Sequence, residues 1–250
     1  MTCRELANWL NAFLRVRDIP DDSLNGLQVD NSGRVSAVGL AVDASEVSIR
    51  SAAKAGADFL IVHHGLFWGK PAALVGPLIR RVRALLETDT ALYAVHLPLD
   101  LHPEVGNNVE LARRMGWEAS EDFGEYHGTV IGRAVTLAHA VPLAHLVEKL
   151  RETAREEPLV WQFGPDSVRR VAVISGSAMG MLDQVAREGF DAYITGETSH
   201  SHYWFAKEAG INVLFGGHYA TETLGVQALG GKIRSAFGLR TVFLDHPTGL

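Results

Sequence analysis

Short apolar runs and amphipathic stretches alternate along most of this chain, and each stretch ends in a glycine or a polar turn. Val35 to Val42 reads as a strand, and Ala44 to Ala55 as a helix stopped by Gly56. Phe59 to Val62 is a short apolar run of the kind found in buried parallel strands. A helix over Leu78 to Glu87, a strand over Ala91 to Val95 and a helix capped by Asn107 or Asn108 and running to Met115 follow. Before them, Thr2-Cys-Arg-Glu5 has the form of a capping box, and Leu6, Trp9, Leu10, Phe13 and Leu14 continue at helical spacing. The later part repeats this rhythm. It has strands at Val168–Ile174, Ala192–Thr195, Val213–Phe215 and Thr241–Leu244. The helices between them run over Ala178–Glu188, His202–Ala209 and about 220–236. Such alternation predicts the α/β class, with mixed sheets flanked by helices.

The two halves align. Val35 to Asp58 and Val168 to Asp191 have the same length, and Ala-Gly-Ala-Asp58 matches Glu-Gly-Phe-Asp191. In that register His63-His64 falls on Gly196-Glu197. Further along, His96-Leu-Pro-Leu-Asp100 falls on His218-Tyr-Ala-Thr-Glu222. We read this as a duplication that gives two related α/β lobes, residues 1–122 with 216–250 and residues 123–215. Ligands of open α/β sheets gather outside the carboxyl ends of strands. His63, His64, His96, Glu197 and His218 all stand at such ends, so a cleft between facing lobes would gather them.

Imidazole and carboxylate are the usual ligands of divalent transition metals. His63-His64 offers two imidazoles just past a strand end, where a turn can direct both inward, each to a different metal. His218 and Glu222 share one face if a helix starts near His218. Pro98 makes His96 to Asp100 a loop by sequence, with Asp100 the better ligand and His96 a direct ligand or a supporting group. Glu197 is a candidate ligand, proton shuttle or orienting group. His102 has no counterpart in the second copy and is read as a surface residue. Trp68 and Trp204 are read as packing residues, with a place on the rim of the cleft as the other option.

Composition narrows the classes. The net charge of −6 argues against nucleic acid and acidic membranes as partners. No apolar run has membrane-spanning length, the start of the chain lacks signal-peptide form, and the single cysteine excludes an internal disulfide. A reducing cytoplasm is the expected location. Gly65 to Lys70 is one residue short of a phosphate-binding loop, and Ser177 stands one place early for a nucleophile elbow.

Five motifs together resemble one family. They are Asn25-Gly-Leu-Gln-Val29, Ile61-Val-His-His-Gly65, His96-Leu-Pro-Leu-Asp100 with Gly106-Asn-Asn108, Ile194-Thr-Gly-Glu197 and Gly217-His-Tyr-Ala-Thr-Glu222. The chain resembles the NGG-interacting-factor-three-like dinuclear metal proteins, also labelled GTP cyclohydrolase 1 type 2 homologs, in their short bacterial form. The resemblance implies two intertwined α/β lobes with a metal cleft between them. It implies two divalent ions per chain (Zn, Mn, Fe, Co or Ni) held by His63, His64, Asp100, His218 and Glu222, with His96 adjoining. It also implies a homo-hexamer built as a trimer of dimers. The expected function is a metal-dependent hydrolase acting on a nucleotide-like, cyclic amide or phosphate substrate, with His96 or Glu197 moving a proton. The alternative is a non-enzymatic metal-binding assembly, such as a chaperone, insertase or regulator.

Overall fold

The computed structural model describes residues 1–117 and 120–250. The chain divides into two compact units, Met1–Val105 with Gly225–His246 and Gly106–Leu224 with Pro247–Leu250. This division puts residues 106–117, 120–122, 216–224 and 247–250 in the second unit, whereas the sequence reading put them in the first. Each unit is α/β, with one mixed sheet flanked by helices.

The first unit opens with helix α1 (Cys3–Phe13), whose capping box forms as the sequence predicts. Its sheet has the order β1 (Gly26–Val29), β4 (Ala91–Ala94), β3 (Phe59–His64), β2 (Ala37–Asp43) and β11 (Arg240–Phe243). The last four are parallel, and β1 runs antiparallel along β4. Helices α2 (Glu46–Lys54) and α3 (Gly76–Glu87) link the parallel strands. Side chains alternate between the sheet's two faces. Val38, Leu40, Phe59, Ile61 and Tyr93 pack with Leu6 and Leu10 of α1 and with Val226, Leu229 and Ile233. Ala41, Leu60, Val62 and Leu92 pack with Ile49, Ala52, Ala84 and Leu85 of α2 and α3. Both faces are buried, which is why these strands are continuously apolar in sequence.

The second unit contains α5 (Asn107–Arg114), β5 (Glu121–Tyr126), β6 (Thr129–Pro142), α6 (Leu143–Ala154), β7 (Leu159–Trp161) and β8 (Ser167–Val173). It continues through α7 (Leu182–Arg187), β9 (Ala192–Thr195), α8 (Tyr203–Ala209), β10 (Asn212–Phe215) and the first residues of α9 (His218–Phe237). The sheet order is β5-β6-β8-β9-β10-β7. Strands β8, β9 and β10 are parallel, and the rest are antiparallel to their neighbours. Leu143, Leu146 and Leu150 of α6 pack against Val171, Val173, Ile194 and Leu214.

The two sheets share a topology. In each, three successive parallel strands (β2-β3-β4 and β8-β9-β10) end beside an antiparallel edge strand. The matched aspartates also do the same work. Asp58 accepts backbone N–H bonds from Ser36 and Ala37 at 2.9–3.3 Å. Asp191 accepts from Arg169 and Arg170 at 2.8 Å. Each carboxylate thus satisfies backbone donors at the start of the strand before it. The ladders also refine the alignment. Val95 donates to Val62, and Gly216 donates to Thr195, so Gly217 rather than His218 lies at the ladder position of His96. One residue is inserted there before α9 begins.

Three local expectations change. The helix drawn over Ala178–Glu188 is a 3-10 turn at Met179–Met181 followed by α7. The cap of α5 is Gly106, while Asn107 and Asn108 lie buried in its first turn. Asn25 to Gln28 is not only a turn, because β1 begins at Gly26.

Charge-assisted bonds to backbone N–H contribute about 1.5–3 kcal/mol. Asp58→Ala and Asp191→Ala should therefore each lower unfolding free energy by about 1–3 kcal/mol in urea titrations. A loss below about 0.3 kcal/mol in both would contradict the shared role.

Candidate metal centre

The first unit carries a set of three imidazoles. Their ligand nitrogens, from His63, His64 and His96, lie within 4.8 Å of one another. His63 and His64 are the last two residues of β3, inside the strand rather than past it. They come together because their rings tilt across the strand end, with centroids 4.7 Å apart. His63 is fully buried. The His96 ring lies 5.0 Å from that of His63 and 5.8 Å from that of His64.

Each ring has one nitrogen committed. His63 Nδ1 donates to the Val95 carbonyl at 2.9 Å, His64 Nδ1 donates to the Asp43 carboxylate at 2.9 Å, and His96 Nδ1 donates to Asp21 at 3.0 Å. These acceptors fix the orientation of all three rings, as hydrogen-bond partners do for metal-binding histidines. Burial alone would raise the Asp21 carboxyl, but bonds from His96, Asn25 and the Ser23 N–H outweigh it and hold the group below its ordinary value. Asp21 is therefore a permanent anion behind His96.

His96 and Asp100 sit on a one-turn helix, α4 (Leu97–Asp100), and not on an irregular loop. Pro98 lies in its first turn, where its missing N–H costs no intrahelical bond. The turn stacks Asp100 beneath His96, with the Asp100 N–H donating to the His96 carbonyl at 3.2 Å. Buried Asp100 reaches His63, with Oδ2 3.5 Å from Nε2.

The Asn25–Gln28 segment braces this set. Asn25 accepts the His96 N–H at 2.8 Å and donates to Asp21 at 2.8 Å. Gln28 accepts the Leu66 N–H at 2.7 Å and donates to the Leu24 carbonyl at 2.8 Å. The chain between strand β3 and Leu66 must be thin at this point. A Cβ on Gly65 would come within 2.5 Å of the Ala94 Cβ and of the Gln28 amide.

The second unit carries a smaller set. α9 starts at His218, so Glu222 lies one turn on, and His218 Nε2 is 3.1 Å from its carboxylate. His218 Nδ1 donates to Glu197 at 3.1 Å. Glu197 thus orients His218, just as Asp43 and Asp21 orient His64 and His96. Its carboxyl is held below the ordinary value by a bond from Ser177 and by His218. Glu222 is 3% exposed, which costs a carboxylate much of its hydration unless a cation or donor faces it. Gly176 turns in the left-handed region beside it, and any Cβ there would collide with the Glu222 carboxylate.

Other sequence candidates fall elsewhere. His102 is buried rather than on the surface. Its Nε2 donates to Phe13 at 3.1 Å, and its Nδ1 accepts the Glu104 and Val105 N–H groups. Burial lowers its pKa, in keeping with this neutral, structural ring. The Cys3 thiol is buried and pushed up to about 12, first by burial and then by Asp30, so it is no nucleophile near neutral pH. Asp21 and Asp43 were not singled out from the sequence. Asp43 stands at the carboxyl end of β2, where the strand-end argument that found His63 would have found it too.

The donor sets fit divalent transition metals, with imidazoles, buried carboxylates and oriented rings. The family model described as Duf34/NIF3 (NGG1p interacting factor 3) matches residues 1–248, and the chain belongs to that family. A Deinococcus radiodurans protein called GTP cyclohydrolase 1 type 2 homolog is 43% identical over 98% of this chain and 94% of its own length. An Archaeoglobus fulgidus protein of the same name is 44% identical over the full length of both. Among solved structures, TTHA1606 from Thermus thermophilus matches with a TM-score of 0.92 and 45% identity over 100% of both chains. Reduced HcgD from Methanocaldococcus jannaschii matches with a TM-score of 0.87 and 26% identity over 98% of each. No helix among the described residues is long and apolar enough to cross a membrane.

Two tests follow from this geometry. Removing a group that orients a metal-binding histidine weakens affinity roughly 10–100-fold. Asn25→Ala and Asp21→Asn should do so in competition titrations against a metallochromic chelator, and unchanged affinity in both would refute the bracing role.

The second test concerns pH. Without metal, His218 is raised to about 9, chiefly by Glu222. The stabilisation from that proton is complete below the ordinary histidine value of 6.5 and vanishes as pH rises through about 9. A cation held by Nε2 and Glu222 displaces the proton. Metal uptake at this pair should release about one proton near pH 7.5 and almost none near about pH 10, measured calorimetrically in buffers of different ionisation enthalpy.

Proposed function

We propose that this protein is a metal-dependent hydrolase in which both ligand sets serve one dinuclear centre. His63, His64 and Asp100 from the first unit and His218 and Glu222 from the second would hold two divalent ions, with His96 adjoining. The observation that carries this reading is the shared Nδ1 pattern. All four imidazoles direct Nδ1 to a carbonyl or carboxylate, the contact that orients metal-binding histidines. The placement of both sets at the carboxyl ends of parallel strands supports it further, as does the name borne by the relatives.

Two such ions, when bound, supply a water acidic enough to act as a nucleophile near neutral pH and a Lewis acid for a substrate oxygen. The protein's own residues do the rest. Asp21, Asp43 and Glu197 hold the rings in place. Glu197 is also partly exposed and stays ionised at neutral pH, so it is suited to accept a proton rather than to supply one. His96 is half-buried and backed by an anion, so it is the second candidate for moving a proton. The substrate class in this reading is a nucleotide-like or cyclic amide or phosphate compound. The assembly in this reading is a homo-hexamer.

The deciding experiment is metal analysis of protein purified without chelators, beside an Asp100→Ala/Glu222→Ala variant, with both assayed on GTP and simple phosphate esters. About two metals per chain and measurable turnover, both lost in the variant, are expected. Two metals without turnover would replace the hydrolase by a metal-handling assembly. No stoichiometric metal would overturn the centre itself.

A further inference from the structure

Trp68 stands beside the imidazoles of the first unit and touches them only through its ring. Its ring centroid is 5.0 Å from that of His96, nearly edge-on at 72°, and 6.1 Å from that of His64. The indole is 39% exposed. Its exposure alone is ordinary for a tryptophan, and its place beside two imidazoles is what distinguishes it.

The exposed ring is nevertheless rigidly mounted. Its Nε1–H donates to the Gly65 carbonyl at 3.1 Å. The backbone on both sides is pinned to residues 22–24. Trp68 pairs with Ser23 in an antiparallel bridge, Leu24 N–H donates to Phe67, and Gly69 N–H donates to Asp22. Gly65 also follows His64 directly, so the indole takes its position from the same turn that ends the ligand strand. Fixed backbone, a fixed indole N–H and a partly exposed ring amount to a preorganised surface, for which most of the ordering cost of binding has been met in folding.

We infer that Trp68 is a stacking platform that selects substrates containing a planar heteroaromatic ring, held flat on the indole while a polar group of the same molecule reaches the His64 and His96 side. The inference rests on the metal-centre reading for that polar group and adds the substrate's ring to it. A flat π face takes any planar ring with little regard to its edge pattern, and such stacking contributes enough to change affinity at least several-fold. The sequence alone favoured packing for this residue. The place beside two imidazoles and the pinned turn argue for contact with a ligand.

The test uses two probes that share a phosphate and differ in the ring, guanosine 5′-monophosphate and ribose 5-phosphate. Calorimetric titration into metal-loaded protein should show the ring-bearing probe binding at least about tenfold more tightly. Trp68→Ala should abolish that preference while leaving metal content unchanged, and Trp68→Phe should keep most of it. Equal affinity for the two probes in the native protein, or an undiminished preference in Trp68→Ala, would overturn the platform. Metal content is measured on the same samples. A native protein that lacks stoichiometric metal yet prefers the ring-bearing probe would refute the metal centre and support the platform.

Discussion

Each ligand set depends on the commitment of one nitrogen on each of its imidazoles. A histidine near neutral pH exchanges between tautomers and protonation states, and a buried one without a fixed partner has no defined chemistry. Here Val95, Asp43, Asp21 and Glu197 each take an Nδ1 proton. Three of the four acceptors are carboxylates. Each makes its ring more electron-rich than a carbonyl would, while His63, fully buried, is matched with the neutral acceptor.

The fold supplies those acceptors through strand order. Val95 follows β4, the neighbour of β3 on one side, and Asp43 ends β2, its neighbour on the other. The histidines at the end of β3 therefore find partners on both adjacent strands. Parallel strands make this possible, because their carboxyl ends lie together and expose side chains that no crossover helix covers. In the second unit the equivalent end of β9 reads Gly196-Glu197. Both of its N–H groups donate to the Gly176 carbonyl, which draws the β8 and β9 ends together beneath His218 and Glu222. The two strand ends thus differ in residue type. Where one copy places imidazoles at the strand end, the other places a glycine and a supporting carboxylate.

Much of this was legible in the sequence. The central strands are buried on both faces, so they appear as unbroken apolar runs, and glycines mark the helix ends. The matched Asp58 and Asp191 could be aligned by spacing alone. What failed did so for identifiable reasons. Pro98 was taken to forbid a helix, but in a first turn its missing N–H has no partner to lose. His102 was placed on the surface for want of a counterpart, although its two ring nitrogens serve a backbone donor and acceptor that no local pattern reveals. The β5–β6 hairpin and α6 went unread. β6 faces solvent along much of its length and breaks register between Thr136 and Val141, so it has no clean alternation. Asp21 and Asn25 act on His96 from more than 70 residues away. Such a pairing is set by β1 lying against β4, and strand pairing at that distance leaves no mark in local sequence.

The brace from β1 also explains why an antiparallel edge strand is kept beside β4. An edge strand of four residues adds little burial of its own, and Leu27 to Val29 breaks register against β4. Its value lies in the side chains it carries. Asn25, just before the strand, fixes the start of α4, and Gln28, within it, fixes the chain leaving β3. One short segment therefore sets the positions of His96 and of the turn after His64 together. That same turn carries Trp68, so the ligand set and the indole surface share one mechanical support. A shift of β1 would move all three at once, and for that reason the polar residues of Asn25-Gly-Leu-Gln28 belong to the site as much as the histidines do.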